Sequence, residues 1–105
     1  MTSINQKRRL TSNGQNLNIS RADAFRIIDE LRQRNNEELL AILNEEQKQE
    51  GEREAKLREV SDEAERKRLE KIFGIERAKA SERIVNTSSE HEMQLTLEMR
   101  RLGLA

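Results

Sequence analysis

The chain of 105 residues has no cysteine, no proline, no tryptophan and no tyrosine, and its only aromatic side chains are two phenylalanines. Without cysteine, this sequence forms neither a disulfide framework nor a thiolate zinc site, which suits a reducing compartment. Aromatic side chains contribute most of the buried area in a core. The apolar residues amount to 33% of the chain, against roughly 45–50% in an ordinary globular domain. We therefore predict a protein with little core of its own.

The sequence also has few features of membrane, catalytic or nucleic-acid-binding proteins. No run of 18 apolar residues and no signal-peptide segment occurs, so we expect neither a membrane span nor secretion. His91 is the single histidine, and the sequence contains no glycine-rich phosphate loop, metal-ligand cluster or nucleophile elbow. We expect no enzyme, no catalytic residue, no cofactor and no metal site. One short basic cluster, "QKRR", gives no basis for specific nucleic-acid binding.

Charged residues dominate what is present. They make up 38% of the chain, with 20 basic residues balancing 20 acidic ones. Glu, Lys, Arg, Gln, Ala and Leu are good helix formers, and the absence of proline argues against full disorder. The composition predicts an all-α fold that is extended, built from long charged helices.

Residues 1–19 differ from the rest. They contain Lys7, Arg8 and Arg9 and no acidic residue, and "NGQNLNIS" has the Gly and Asn content of a loop. We predict a flexible basic and polar arm in which these three cations make electrostatic contacts. Docking of the arm on an acidic surface and a mitochondrial transit peptide are the alternatives.

Residues 20–86 are predicted to be helical. Ser20 is a suitable N-cap, and Ala24, Ile28, Leu31, Leu39 and Ile42 then lie on one face, which Asn35 interrupts. At 3.6 residues per turn, the same face continues through Leu57, Val60, Ala64, Ile75, Ala78 and Val85. The opposite side carries Leu69, Phe73, Ala80 and Ile84. We predict one nearly continuous helix with possible bends at Gly51 and Gly74, folding back at either glycine being the alternative. No heptad pattern persists for several repeats.

Residues 87–105 hold an unusual concentration of large apolar side chains. Thr87 with Glu90, and Ser89 with Glu92, fit capping boxes, and Gly103 suits the residue after a helix C-terminus. We predict a short capped helix, although a strand with alternating apolar residues is the rival interpretation. Leu95, Met99 and Leu102 share one side of that helix, opposite Met93 and Leu97. Apolar residues on both sides predict a docking element for another protein chain.

The ending "LTLEMRRLGLA", residues 95–105, resembles the close of small helical microtubule inner proteins of cilia and flagella. The charged stretch "EEQKQEGEREAKLREVSDEAERKRLEKIF" is also similar in composition to the helices of those proteins. Leu95 stands where that group commonly has an aromatic residue, and Met99 stands in place of leucine. The resemblance implies a structural protein of the axonemal cytoskeleton that binds tubulin and neighbouring inner proteins of doublet microtubules.

Two other functions fit the same residues. One is a soluble coiled-coil adaptor or assembly subunit that oligomerises through the stripe from Ala24 to Ile42. The other is a helical inhibitor that inserts its tail into the groove of an enzyme. The predicted partner-binding residues are Met93, Leu95, Leu97, Met99, Leu102, Leu104, Ala24, Ile28, Leu31, Leu39 and Ile42.

Overall fold

The structure, a computed structural model, describes residues 19–104. Helix α1 spans Arg21–Glu59 and helix α2 spans Glu63–Arg101, each of 39 residues. No strand occurs between residues 19 and 104, so the predicted all-α fold with long charged helices is confirmed. The predicted electrostatic contacts, Lys7, Arg8 and Arg9, lie outside the described residues.

Helix α1 begins at the predicted cap. The Ser20 hydroxyl accepts a hydrogen bond of 3.0 Å from the backbone N–H of Asp23, and the Ser20 carbonyl accepts one of 2.9 Å from Ala24. The side chain thus satisfies a backbone donor that has no partner inside the first turn. Asp23 also places a negative charge near the positive end of the helix dipole.

The break between the helices lies at residues 60–62 instead of at either glycine. Both Gly51 and Gly74 lie inside helices, where an added Cβ would meet nothing within 4 Å. Asp62 caps α2, because its carboxylate accepts a bond of 3.2 Å from the backbone N–H of Glu65. The Arg66 guanidinium donates a bond of 2.7 Å to the carbonyl of Val60. The stretch for which we preferred one nearly continuous helix to Val85 therefore consists of two helices: α1 ends at Glu59, and Asp62 caps the start of α2.

The residues predicted to form a separate C-terminal helix belong to α2 in the structure. Helix α2 continues without interruption through Asn86–Ser89, the residues read as its cap. Thr87 is half-buried on the inward side of α2, so tertiary packing overrides its local preference for a cap. The end of the helix is as predicted: Gly103 has φ of 76°, and its N–H donates to Arg100 at 3.1 Å while Leu104 donates to Met99 at 2.8 Å. These bonds form a Schellman motif.

The chain divides into two compact units. The first, here the terminal unit, comprises residues 19–35 together with residues 91–104 of the described chain. Ala24 and Ile28 are its buried apolar residues, with 2% and 1% of their surface exposed. Around them, Leu31, Leu95, Met99 and Leu102 are half-buried. This unit therefore has a thin apolar seam, as expected for a chain with few large apolar residues.

The second unit, here the turn unit, comprises Asn36–Glu90. Its two helical segments run antiparallel, because Arg53 contacts Glu76 and Glu50 contacts Arg77 across 23 and 27 residues. Phe73 is buried at 7% exposure. The half-buried apolar residues of the turn unit are Leu39, Ile42, Ala55, Leu57, Val60, Leu69, Ala80 and Ile84.

The inward face of α1 agrees with the sequence pattern, but the pattern assigned the wrong face to α2. Ala64, Ile75, Ala78 and Val85 are exposed, whereas Leu69, Phe73, Ala80 and Ile84 face inward. Extending the period assumed that one helix continued past Val60. Because the chain reverses there, the opposite side of α2 packs within the turn unit.

Candidate functional site

The predicted partner-binding residues fall into two groups. Met93 and Leu97 are exposed, with 63% and 55% of their surface accessible. Ala24 and Ile28 are buried. The half-buried members are Leu31, Leu39, Ile42, Leu95, Met99, Leu102 and Leu104. Most of the predicted partner-binding residues therefore face the interior of their own unit. The sequence analysis had assigned them to contacts with another chain.

Several exposed apolar side chains were not among the predicted partner-binding residues. Ile19 and Phe25 are exposed in the terminal unit, and Leu40, Leu43, Ile72, Ile75 and Val85 are exposed in the turn unit. Leu40 with Leu43, and Ile72 with Ile75, are three residues apart, and Met93 and Leu97 are four apart. Side chains at these spacings are neighbours on one helix surface. The sequence spacing could therefore have revealed these pairs. Each pair forms a small apolar patch among charged residues.

Phe25 carries a cationic neighbour. The Arg21 guanidinium carbon lies 5.4 Å from the centroid of the Phe25 ring, within the range of a cation–π interaction. The ring remains 46% exposed. Phe25 therefore presents both an aromatic surface and an adjacent positive charge.

A charged cluster surrounds one buried arginine of the turn unit. Arg53, with 5% of its surface exposed, donates from one terminal nitrogen to Glu46 at 2.7 Å and to Glu50 at 2.8 Å. Its Nε donates to Glu76 on α2 at 3.0 Å. Arg77 donates from Nε and a terminal nitrogen to the two carboxylate oxygens of Glu50, each at 2.8 Å. We call these five residues the Arg53 cluster.

Sequence reasoning assigned no role to this cluster, although its spacing gave a signal. Glu46, Glu50 and Arg53 follow Ile42 at intervals of four, four and three residues, which is the period of the inward stripe. The predicted stripe included only apolar residues. In the structure, Glu46, Glu50 and Arg53 take the place that apolar residues would fill in an ordinary helix pair.

Mutual hydrogen bonding favours the charged forms of Glu50, Arg53 and Arg77. Hydrogen bonds from Arg77, and then from Arg53, lower the pKa of Glu50 to about 2. Hydrogen bonds to Glu46 and Glu76 raise the pKa of Arg53, and those to Glu50 raise the pKa of Arg77. These three groups therefore stay ionised at neutral pH. The arrangement supports permanent ion pairing more than proton transfer.

Other kinds of site were sought in the described part of the chain. Between residues 19 and 104, no group of three or more His, Asp or Glu side chains is placed to hold a metal ion. Neither α1 nor α2 has a stretch that is apolar enough to cross a membrane. No protein-family model, curated protein or solved structure matches the chain. The exposed apolar pairs and the Arg53 cluster are therefore the features on which a functional proposal depends.

Proposed function

We propose that this protein is a non-enzymatic structural protein that binds other proteins through outward-facing apolar side chains. The observation that carries the proposal is the exposure of Met93 and Leu97 on α2, beside Leu95 and Met99, which face inward. Completing the burial of a half-exposed Leu or Met contributes about 1–2 kcal/mol. Two such residues four positions apart give a helix surface on which a partner can pack.

The resemblance of residues 95–105 to the close of microtubule inner proteins suggests the partners and the cellular location. In this proposal the partners are tubulin and neighbouring proteins of axonemal doublet microtubules, and the protein resides in the cilium or flagellum. Helix surfaces lie on the microtubule wall, and Met93 and Leu97 enter an apolar site there. Lys7, Arg8 and Arg9 add electrostatic contacts that weaken as salt is raised.

A coiled-coil adaptor or assembly subunit is the second candidate. Leu40 with Leu43, and Ile72 with Ile75, are exposed pairs of the kind that associate with another helix. The stripe from Ala24 to Ile42, first proposed for this role, faces inward. An adaptor therefore oligomerises through the exposed pairs instead.

Fractionation of the tagged protein from ciliated cells tests both candidates. The variant Met93→Asp with Leu97→Asp places two carboxylates on the proposed docking surface, where burial without a partner is costly. The control Gln94→Asp with Thr96→Asp adds the same charge at exposed polar positions of the same segment. Circular dichroism of each variant checks that helix content is unchanged.

We expect the parent protein and the control to remain in doublets washed with salt and detergent, and the Met93/Leu97 variant to be released. Retention of that variant would refute docking through Met93 and Leu97. Recovery of the parent protein in the soluble fraction, with another complex, would refute the microtubule setting and favour the adaptor.

A further inference from the structure

The turn unit carries two exposed apolar pairs, and the residues at the two ends of each pair differ in charge. Leu40 and Leu43 are 55% and 41% exposed. Asn36 lies one turn before this pair and Gln47 one turn after it, and both are exposed. Spacings of four, three and four residues place the four side chains on one outward strip of α1. We call these four residues the Leu40 strip.

The Leu40 strip contains no charged residue, although 38% of the chain is charged. Its order of amide, leucine, leucine and amide reads the same in both directions along α1. An identical strip therefore matches it layer by layer, with leucine on leucine and amide on amide, whether the two helices run parallel or antiparallel. A shift by one layer would bury an amide against leucine, where the amide loses its hydrogen bonds. The pattern thus favours a single pairing register.

The second exposed pair of the turn unit lacks this property. Ile72 and Ile75 are 44% and 55% exposed, and Arg68 and Lys79 occupy the corresponding end positions, where both are exposed. Pairing these four residues with their own copy brings cation against cation in either direction, and like charges across an interface are unfavourable. Charge therefore distinguishes the Leu40 strip as the surface of this unit that accepts a copy of itself.

We propose that the Leu40 strip is a self-association surface and that its occupant is the same strip of a second copy of this chain. The two leucines bury their remaining exposed surface, and the amides exchange hydrogen bonds at the ends. Two apolar residues from each chain cover much less than the roughly 1,600 Å² of a standard interface, so the dimer is weak and depends on concentration. This inference rests neither on docking through Met93 and Leu97, which belong to the terminal unit, nor on the microtubule setting.

Charges placed at the two amide positions test the pairing without altering the leucines. In the basic variant, Asn36→Lys with Gln47→Lys, cations meet at both ends of the paired strips. In the acidic variant, Asn36→Glu with Gln47→Glu, carboxylates meet there. An equimolar mixture of the two variants pairs opposite charges in either direction. Both positions are exposed on α1, and Lys and Glu are good helix formers, so the fold of the turn unit is retained.

The matched control for the basic variant is Ala41→Lys with Gln49→Lys. Both positions are exposed on α1, and helical spacing places them on the side away from the Leu40 strip. The control therefore adds the same two positive charges to the same helix without placing them in the proposed contact. Circular dichroism of every variant checks that helix content is unchanged.

Sedimentation equilibrium of the full chain between about 10 μM and about 1 mM measures the dissociation constant of the dimer. We expect the parent and the control to dimerise with similar constants. The constant of each charged variant alone should rise at least about tenfold, and the equimolar mixture should return toward the parent value.

Three results would overturn the proposal. The first is a parent chain that stays monomeric up to about 1 mM. The second is self-association of the charged variants as strong as that of the parent, since the contact would then lie elsewhere on the chain. The third is a mixture that stays as monomeric as its components, because opposite charges at the matched ends restore the pairing that we propose.

Discussion

Replacing Ile28 with alanine tests whether the terminal unit is held by its thin apolar seam. Ile28 has 1% of its surface exposed, the lowest value among the buried residues of the described chain. The substitution removes three carbons, each worth about 0.8 kcal/mol of burial. A seam between two helices collapses or admits water more easily than a large core, so the cavity adds little. We expect the free energy of unfolding to fall by about 2–3 kcal/mol.

Urea and thermal unfolding followed by far-UV circular dichroism measure this change. A loss of about 2–3 kcal/mol should lower the melting temperature by about 10–20 °C for a chain of this size. Ile75→Ala is the matched control, since Ile75 is 55% exposed in the other unit. That control should change stability by less than about 0.5 kcal/mol. Equal, small effects of the two substitutions would refute the burial of Ile28 and the seam built on it.

Two further predictions concern glycine and pH. Gly51→Ala should stabilise α1 by about 0.5–1 kcal/mol, because an added Cβ meets nothing within 4 Å. Gly103→Ala should destabilise the end of α2 by about 1–2 kcal/mol, because Gly103 has φ of 76°. If urea titrations shifted the unfolding midpoints of both glycine variants in the same direction, they would contradict these two predictions. Hydrogen bonds from Arg77 and Arg53 lower the pKa of Glu50 from 4.5 to about 2, so its pairing stabilises the fold fully above about pH 5 and progressively less down to pH 2. Melting temperatures of Glu50→Gln should therefore fall less steeply than those of the parent over this range, and parallel curves would refute the pairing.

The features that are set by neighbouring residues were predictable from the sequence. Ser20 caps α1 because a hydroxyl at that position reaches a backbone N–H three residues away. Gly103 ends α2 because it adopts a positive φ without steric cost. The residues of the stripe from Ala24 to Ile42 share one face of α1 because helical periodicity places them on one side. Each of these depends on a few residues in one helix.

The reversal of the chain was not predictable from local pattern. Its connection lacks the glycine or proline that usually marks a turn, and the apolar residues alone looked too few to hold two antiparallel segments together. The missing contribution comes from Arg53 and Glu76, which are 23 residues apart in sequence. No local sequence pattern marks such a pair, so the sequence did not predict that Arg53 and Glu76 would contact each other. The inward half of the tail was missed because Leu95 and Met99 pack within the terminal unit, and no pattern in residues 87–105 reveals that.

The sequence separations across the turn unit determine how it folds. The cross-helix pairs join residues 23 and 27 positions apart, and each pair further from the connection closes only a slightly longer loop. Loop-closure entropy rises slowly with length, so pairing propagates outward from residues 60–62. Phe73 is the buried apolar residue of this unit and lies near the connection, so we expect Phe73→Leu to slow folding more than it speeds unfolding. Most backbone contacts of the turn unit are the local bonds within its helices, so we expect a low contact order and folding within microseconds to milliseconds.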